Sequence, residues 1–206
     1  MEIRSFLAFE LPLDIKRTVR DVSGALRKTP LNVRWVNVYN IHLTVVFMGN
    51  IPEADVAPMG NSVKKVCRDY GPFEIYLNGI GFFPGSRNAR VLWIGLDGDM
   101  ERMAQFRDAL QACLVPFGIR KEKRPFKPHL TLGRFRKPGK NSRQLEAVAT
   151  QYHDLKSPVQ RLDELIMFKS ELKPSGAEYS RLAAWPLVGK TEVGGRMTDD
   201  GRTNDQ

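Results

Sequence analysis

One short pattern occurs twice in the sequence, and it constrains the fold more than any other feature. It reads His-Leu-Thr-Val at residues 42–45 and His-Leu-Thr-Leu at residues 129–132. Both copies lie in apolar runs that end near glycine, which is typical of β-strands. Alternate residues of a strand share a face. His42 therefore shares a face with Thr44, His129 shares one with Thr131, and the leucine between them points toward the core.

The pattern is informative because it occurs twice, and not because of either copy alone. The chain has 3 histidines and 8 threonines among 206 residues, so chance would give two such pairs in roughly one of two hundred chains. A single His-x-Thr match predicts little, because a lone histidine on a strand is usually a structural residue. Two matched copies on strands favour a shared catalytic role.

Hydrophobic periodicity predicts an alternation of strands and helices along the chain. Strands are predicted at residues 3–10, 33–38, 41–48, 73–83, 90–96, 159–171 and 178–187, and the second His-x-Thr motif lies in a further strand within residues 126–135. Helices are predicted at residues 12–26, 54–70, 98–117 and 142–152. Because Pro58 and Gly60 weaken the first turn of the second helix, we expect that helix to be firm only after Asn61.

The two halves of the chain repeat one order of elements. Each half has a strand, a helix, a His-x-Thr strand and a further helical segment, and the two histidines are 87 positions apart. The sequence therefore predicts an α+β fold of two pseudo-symmetric lobes, each an antiparallel sheet with helices on its outer face. The His-x-Thr strands would face each other across a central cleft. We predict one bilobal domain over residues 1–188 and a polar, disordered tail over residues 189–206.

Composition limits the class of protein. A hydrophobic content of 42% in 206 residues is enough for a packed core. Cys67 and Cys113 lie far apart within helical patterns, so we expect small buried residues rather than a disulfide or a metal site. The sequence has neither a long apolar stretch nor a signal-peptide pattern. We therefore expect a cytoplasmic protein that does not associate with membranes.

The formal net charge of +9 is concentrated around the second histidine. Residues 120–140 contain one acidic side chain, Glu122, and nine basic ones. The basic residues are Arg120, Lys121, Lys123, Arg124, Lys127, Arg134, Arg136, Lys137 and Lys140. Such a run is usually a solvated loop. Its position on both sides of His129 makes attraction of phosphate an equally good interpretation.

Several other stretches accompany the two motifs. They are Phe6-Leu7-Ala8-Phe9-Glu10-Leu11-Pro12, Arg34-Trp35-Val36, Phe82-Phe83-Pro84, Arg90-Val91-Leu92-Trp93-Ile94-Gly95 and Tyr179-Ser180-Arg181-Leu182. With these stretches, residues 3–188 resemble the 2H phosphoesterase superfamily. Within it they are similar to the bacterial and archaeal RNA 2′,3′-cyclic phosphodiesterases, also described as 2′–5′ RNA ligases. The paired motifs are specific to the superfamily, and the flanking stretches indicate the branch.

This resemblance implies a bilobal α+β fold with a positively charged cleft. The implied activity opens a terminal 2′,3′-cyclic phosphate of RNA to a 2′-phosphate, without a metal or another cofactor. The implied partner is RNA with such an end, tRNA fragments included, and we expect a monomer. In the family assignment His42 donates a proton to the departing 3′ oxygen and His129 accepts one from water. Histidine suits both roles because it titrates near neutrality, and the nearly symmetric motifs cannot assign the roles by themselves.

Three further residues are predicted to bind the phosphate. Thr44 and Thr131 would hydrogen-bond its non-bridging oxygens and hold it in line. Arg134 would supply positive charge for the transition state. Arg134 lies five residues after His129, so an ideal strand places it on the opposite face. It reaches the site only if the strand twists or ends near Gly133, and the family resemblance supports that placement.

The remaining candidates have simpler interpretations. His153 lacks a threonine partner and is expected to be a surface residue. Phe6 and Phe126 could stack a nucleobase at the edge of the cleft, although Phe6 is an equally good core residue. Three tryptophans are expected in the core, namely Trp35, Trp93 and Trp185.

Several functions remain as alternatives to hydrolysis of RNA ends. The reverse reaction would join RNA ends through a 2′–5′ bond at the same site. A small cyclic nucleotide could be the substrate instead, although it needs fewer positive charges than the chain provides. The chain could also be an inactive RNA-binding module. A metal-dependent hydrolase is disfavoured, because 3 histidines and 2 scattered cysteines supply no ligand cluster.

Overall fold

The computed structural model describes residues 1–139, 142–174 and 176–189, which form two antiparallel sheets and their helices. The strands are β1 (Glu2–Glu10), β2 (Val33–Trp35), β3 (His42–Pro52), β4 (Phe73–Phe83), β5 (Ala89–Gly98), β6 (His129–Gly139), β7 (Gln160–Leu162), β8 (Glu164–Lys173) and β9 (Gly176–Pro186). The helices are α1 (Leu13–Arg27), α2 (Val56–Asp69), α3 (Met100–Leu114) and α4 (Ser142–Gln151). The predicted α+β class is confirmed.

Each sheet contains one His-x-Thr strand. The first sheet has the order β3-β1-β8-β9, and the second has the order β2-β6-β5-β4-β7. In both sheets the His-x-Thr strand pairs with an earlier strand from which a helix separates it in the chain. β3 pairs with β1, with α1 between them, and β6 pairs with β5, with α3 between them. The predicted repeat of elements is therefore visible in the pairing. The sheets nevertheless do not correspond to the halves of the chain, because β2 joins the second sheet and β8 and β9 join the first.

The single strand predicted for residues 159–171 is wrong, because the chain changes sheets within it. Leu162 at the end of β7 pairs with Phe73 in the second sheet. Leu165 in β8 pairs with Phe9 in the first sheet. Both leucines are buried, and the charged pair Asp163-Glu164 lies between them. The pattern of alternation does not by itself specify which sheet each segment joins.

The core lies on the faces of the sheets that point away from the histidines. Leu43 and Leu130, the central residues of the two motifs, have no exposed surface. Phe9 of β1, Phe73 of β4 and Phe106 of α3 form one aromatic cluster with ring centroids 5.3–6.2 Å apart. This cluster joins both sheets and a helix through one apolar interior. Burial of aromatic rings is a large stabilising contribution in such a core.

Helix α2 is continuous from Val56, so the expectation that it becomes firm only after Asn61 is wrong. Pro58 lies in the first turn, where a backbone N–H has no partner within the helix. A Cβ on Gly60 would lie 3.1 Å from Cζ2 of Trp185. Glycine therefore allows the tryptophan of β9 to pack closely on the helix, and this packing outweighs the low helix propensity of glycine.

Most of the tail predicted for residues 189–206 lies outside the described residues. Gly189, its first residue, donates a backbone hydrogen bond to the carbonyl of Tyr70. Within the described ranges, no helix combines the length and the apolar character needed to cross a bilayer.

Candidate active site

The ring of His42 is packed among aromatic side chains on the first sheet. It stacks on Phe6 with centroids 4.6 Å apart, lies 5.9 Å from Phe168 and contacts Tyr179 edge-on at 5.1 Å. Small Ala8 lies between Phe6 and Glu10 on β1, which leaves room for this stack. Burial among the rings lowers the pKa of His42 to about 4.

Two polar neighbours oppose this effect of burial on His42. A hydrogen bond with the backbone of Asn40 and the negative charge of Glu10 both act to raise the pKa of the ring. Glu10 lies directly opposite His42 in the pairing of β1 with β3. Its carboxylate also binds Arg181, with 2.6 Å between Oε2 and Nη2. A negative charge therefore stands beside the first histidine and is fixed by an arginine.

His129 has a more polar environment on the second sheet. Its Nδ1 lies 2.7 Å from the backbone carbonyl oxygen of Lys127. A carbonyl can only accept, so Nδ1 carries the hydrogen, and in the neutral ring Nε2 is free to accept a proton. The edge contact with Phe83 has a centroid distance of 4.8 Å, and Trp93 lies at 6.2 Å. Burial lowers the pKa of His129, the hydrogen bond to the backbone carbonyl of Lys127 opposes this change, and the positive charge of Arg134 lowers the pKa further.

A β-bulge places Arg134 on the same face as His129. Along β6, Thr131 pairs with Trp93 and Gly133 pairs with Leu92, so Leu132 has no partner of its own. An extra residue reverses the alternation of side chains that follow it. Arg134 thereby returns to the face of His129, and its charge acts on that ring. This bulge resolves the difficulty that strict alternation posed.

Each histidine, with its threonine and the side chains around it, forms one half-site. The strands that carry the two half-sites meet between the sheets. Strands β3 and β6 contact each other although they belong to different sheets. Burial raises the pKa of Tyr179, and the charges of Arg134 and Arg4 oppose that shift. The guanidinium of Arg134 therefore acts on His129 and on the tyrosine that contacts His42. The threonines, Thr44 and Thr131, are partly buried beside their histidines.

The basic segment before β6 is held against α3 by two buried polar residues. The guanidinium of Arg107 donates to the carbonyls of Glu122 and Arg124, and the side-chain oxygen of Gln111 accepts from the backbone N–H of Glu122. Glu122 also binds the side chain of Arg124 at 2.6 Å. Phe126 lies under Arg107, 5.4 Å from the guanidinium. The backbone of the basic segment that precedes His129 is thus anchored to α3 at several points.

The structure separates the other candidate residues. Phe6 is buried, with one ring face on His42, so it supports the histidine rather than a nucleobase. Trp93 is partly buried beside His129, unlike buried Trp185. His153 is exposed as expected, pairs with Asp154 at 3.0 Å, and lines a separate surface cavity of about 540 Å³. Within the described ranges, no three His, Cys, Asp or Glu side chains are grouped so as to hold a metal ion.

Sequence reasoning missed the residues that surround the histidines. Tyr179 and Phe168 reach His42 from β9 and β8, more than 120 positions along the chain. Glu10 reaches it from β1. Phe83 and Tyr179 lie in stretches that carry the family resemblance, and this was the available signal. Their role as neighbours of the histidines depends on strand pairing, which local patterns do not specify.

Two antiparallel sheets, each with one His-x-Thr strand, and the contact between those two strands define a two-histidine phosphoesterase fold. The chain belongs to the 2′-5′ RNA ligase superfamily, whose sequence profile matches residues 12–171. Among its relatives, the RNA 2′,3′-cyclic phosphodiesterase of Methanothermobacter thermautotrophicus is 31% identical over 91% of this chain and 100% of its own. The enzyme of the same name from Thermotoga maritima is 25% identical over 87% and 93%.

Solved structures share the fold. The TT0787 protein of Thermus thermophilus superimposes with a TM-score of 0.76 at 24% identity, over 92% of this chain and 100% of its own. LigT of E. coli in complex with 3′-AMP superimposes with a TM-score of 0.69 at 23% identity, over 91% and 99%. The predicted bilobal architecture of this superfamily is therefore confirmed.

Proposed function

We propose that the protein hydrolyses the 2′,3′-cyclic phosphate ends of RNA to 2′-phosphates by metal-independent acid–base catalysis with His42 and His129. The observation that carries this proposal is the arrangement of two converging His-x-Thr strands from different sheets, with Arg134 acting on both half-sites. The names of the relatives support the choice of substrate.

The charges around the two rings support different roles for them. Glu10 favours the protonated form of His42, which suits the acid that protonates the departing 3′ oxygen. Arg134 favours the neutral form of His129, and its Nε2 is free to accept a proton from water. Water then attacks phosphorus, the bond from phosphorus to the 3′ oxygen breaks, and the product has a 2′-phosphate and a 3′-hydroxyl.

Burial keeps His42 neutral at neutral pH in the free protein, so substrate binding has to favour its protonation. A bound phosphodiester carries a negative charge, and such a charge near a histidine raises its pKa. Thr44 and Thr131 would donate hydrogen bonds to the non-bridging oxygens, and Arg134 would stabilise the charge that develops in the transition state. Binding of the substrate would thus favour the protonated form of His42, which is the acid that then acts on that substrate.

An RNA fragment, including a tRNA fragment, is a better substrate in this proposal than a small cyclic nucleotide. The anchored basic segment before β6 extends positive charge beyond the phosphate site. One chain supplies both histidines, so a monomer is sufficient. Ligation through a 2′–5′ bond, from which the superfamily takes its name, would use the same residues, with the 5′-hydroxyl of a second RNA attacking phosphorus in place of water and the same bond to the 3′ oxygen breaking.

The deciding experiment incubates the protein with an oligoribonucleotide that ends in a 2′,3′-cyclic phosphate, in the presence of EDTA. We expect conversion to the 2′-phosphate, detected by chromatography against both monophosphate isomers. A 3′-phosphate product would reverse the assignment of the leaving group. Loss of activity in EDTA that returns with added metal would contradict the metal-independent mechanism. The absence of turnover with retained RNA binding would favour the non-catalytic alternative.

A further inference from the structure

The half-site of His42 has its own bulge at the position equivalent to that of Leu132. Thr44 pairs with Ala8 and Val46 pairs with Leu7, so Val45 is the extra residue. In both motifs the bulge falls on the third residue after the histidine. The fifth residue after His129 is Arg134, and its counterpart after His42 is Phe47. An apolar ring therefore takes the place of the guanidinium in the first half-site.

Phe47 contacts an arginine from the neighbouring strand. The Cζ atom of Arg4 lies over the phenyl ring, 4.7 Å from its centroid, within the range of a cation–π interaction. The phenylalanine side chain is 54% exposed and lies opposite Phe6, whose ring stacks on His42. The charge of Arg4 also acts on Tyr179. Besides Arg181, which Glu10 binds, the first half-site thus also has Arg4 of β1 near it.

Arg4 is not neutralised by an acidic side chain. Among the described residues, no carboxylate lies within 4.0 Å of its guanidinium. On the same sheet, Arg181 binds both Glu10 and Glu164. Arg4 is therefore an available positive charge that an aromatic ring holds in place, which is a suitable arrangement for binding phosphate.

The position of Arg4 separates it from the reacting phosphorus. Along β1, the Cα atom of Arg4 lies about 7 Å from that of Phe6. The Cα atom of Glu10, which is opposite His42, lies about 13 Å from that of Phe6 in the other direction. We propose that Arg4, held by Phe47, binds the phosphodiester that joins the terminal nucleotide to the rest of the RNA. This inference rests on the proposed function and adds a subsite that favours an oligonucleotide over a mononucleotide.

The test compares two substrates, a tetranucleotide with a 2′,3′-cyclic phosphate end and the corresponding 2′,3′-cyclic mononucleotide. Arg4→Ala should lower kcat/KM for the tetranucleotide by about tenfold, the effect of one charge-assisted hydrogen bond. The value for the mononucleotide should change less than about twofold, and the salt dependence for the tetranucleotide should lose about one unit of slope. Phe47→Ala should give a smaller loss with the same substrate preference.

Arg68→Ala is the matched control, since it removes an exposed arginine from α2 and should affect neither substrate. Equal losses on both substrates would overturn the proposal and place Arg4 at the reacting phosphate. No loss on either would also overturn it. If the wild-type protein turns over neither substrate, the proposed function fails. Fluorescence anisotropy with the tetranucleotide then still tests the subsite, because Arg4→Ala must weaken binding for the inference to stand.

Discussion

The two half-sites contain the same motif in different surroundings. His42 stacks on the face of Phe6 and has a carboxylate opposite it, whereas His129 meets the edge of Phe83 and has a guanidinium nearby. The motif therefore fixes where each imidazole lies, and its neighbours decide which protonation state is favoured. Near-symmetry of the backbone is compatible with the opposite chemical roles that we propose, because the surroundings that would set these roles come from side chains of other strands.

Substitution of either histidine should give the largest effect. His42→Ala and His129→Ala should each lower turnover by about 10²–10⁴, the usual contribution of a positioned acid or base. A substrate with sulfur in place of the bridging 3′ oxygen separates the two roles, since a thiolate leaves more readily without a proton. On this substrate His42→Ala should lose less than about tenfold, and His129→Ala should keep its full defect. The measurement is single-turnover kinetics on both substrates.

His153→Ala is the control for the histidine variants, because that side chain is exposed and pairs only with Asp154 in the described structure. It should behave as the wild type. If the sulfur-containing substrate restores the turnover of His129→Ala and not that of His42→Ala, His129 is the acid and His42 is the base. Equal restoration of both would mean that the two half-sites do not differ in role.

Arg134→Ala should have the next largest effect, about 10² in kcat/KM, as found when one preorganised donor to a developing charge is removed. Arg134→Lys should recover only part of this loss, since lysine lacks the bidentate geometry. Arg136→Ala is the matched control, because it removes an exposed positive charge from the same strand. If both alanine variants lose activity equally, the contribution of Arg134 is general attraction of RNA rather than a contact at phosphorus.

The sequence was sufficient for the parts of the site that are local. His42, Thr44, His129 and Thr131 follow from a period of two along single strands, and the structure places each pair as that period requires. Arg134 required a bulge that strict alternation does not predict.

The long-range parts of the site were not predictable from local patterns. Tyr179 and Phe168 reach His42 because β8 and β9 return to the first sheet, and the charged pair Asp163-Glu164 at the change of sheets does not specify which sheet follows. Strand pairing is decided by the whole core, so the residues that tune the pKa of His42 were inaccessible to local reasoning.

The threonines should contribute less than Arg134. Thr44→Ala and Thr131→Ala should each lower kcat/KM by about tenfold, since each removes one neutral donor to a phosphate oxygen. Thr→Ser at either position keeps the hydroxyl and should retain most activity. Because both side chains are only partly buried, melting temperatures should stay close to the wild-type value. A loss in the alanine variants that tracks a fall in melting temperature would mean that the threonines are structural.

Glu10→Gln should have the smallest effect, and its pH dependence is the sharpest comparison of the two half-sites. The carboxylate acts to raise the pKa of His42 against the larger effect of burial, so its removal lowers that pKa further. Above a pKa of about 4, the protonated fraction of His42 falls as pH rises. The variant should therefore lose a few-fold in kcat/KM at neutral pH, and its ratio to the wild type should approach one in acid. Protonation of His129 in acid affects both proteins alike.

Glu164→Gln is the matched control for this measurement. Glu164 binds the same Arg181 as Glu10 does, at 3.3 Å, but it lies in β8 rather than opposite His42. If the pH profile of Glu164→Gln equals that of Glu10→Gln, the effect arises from Arg181 and not from a carboxylate beside the acid. If only Glu10→Gln changes the profile, the negative charge opposite His42 distinguishes this histidine from His129. Which histidine acts as the acid would then depend on Glu10, a residue of β1 that lies outside both motifs.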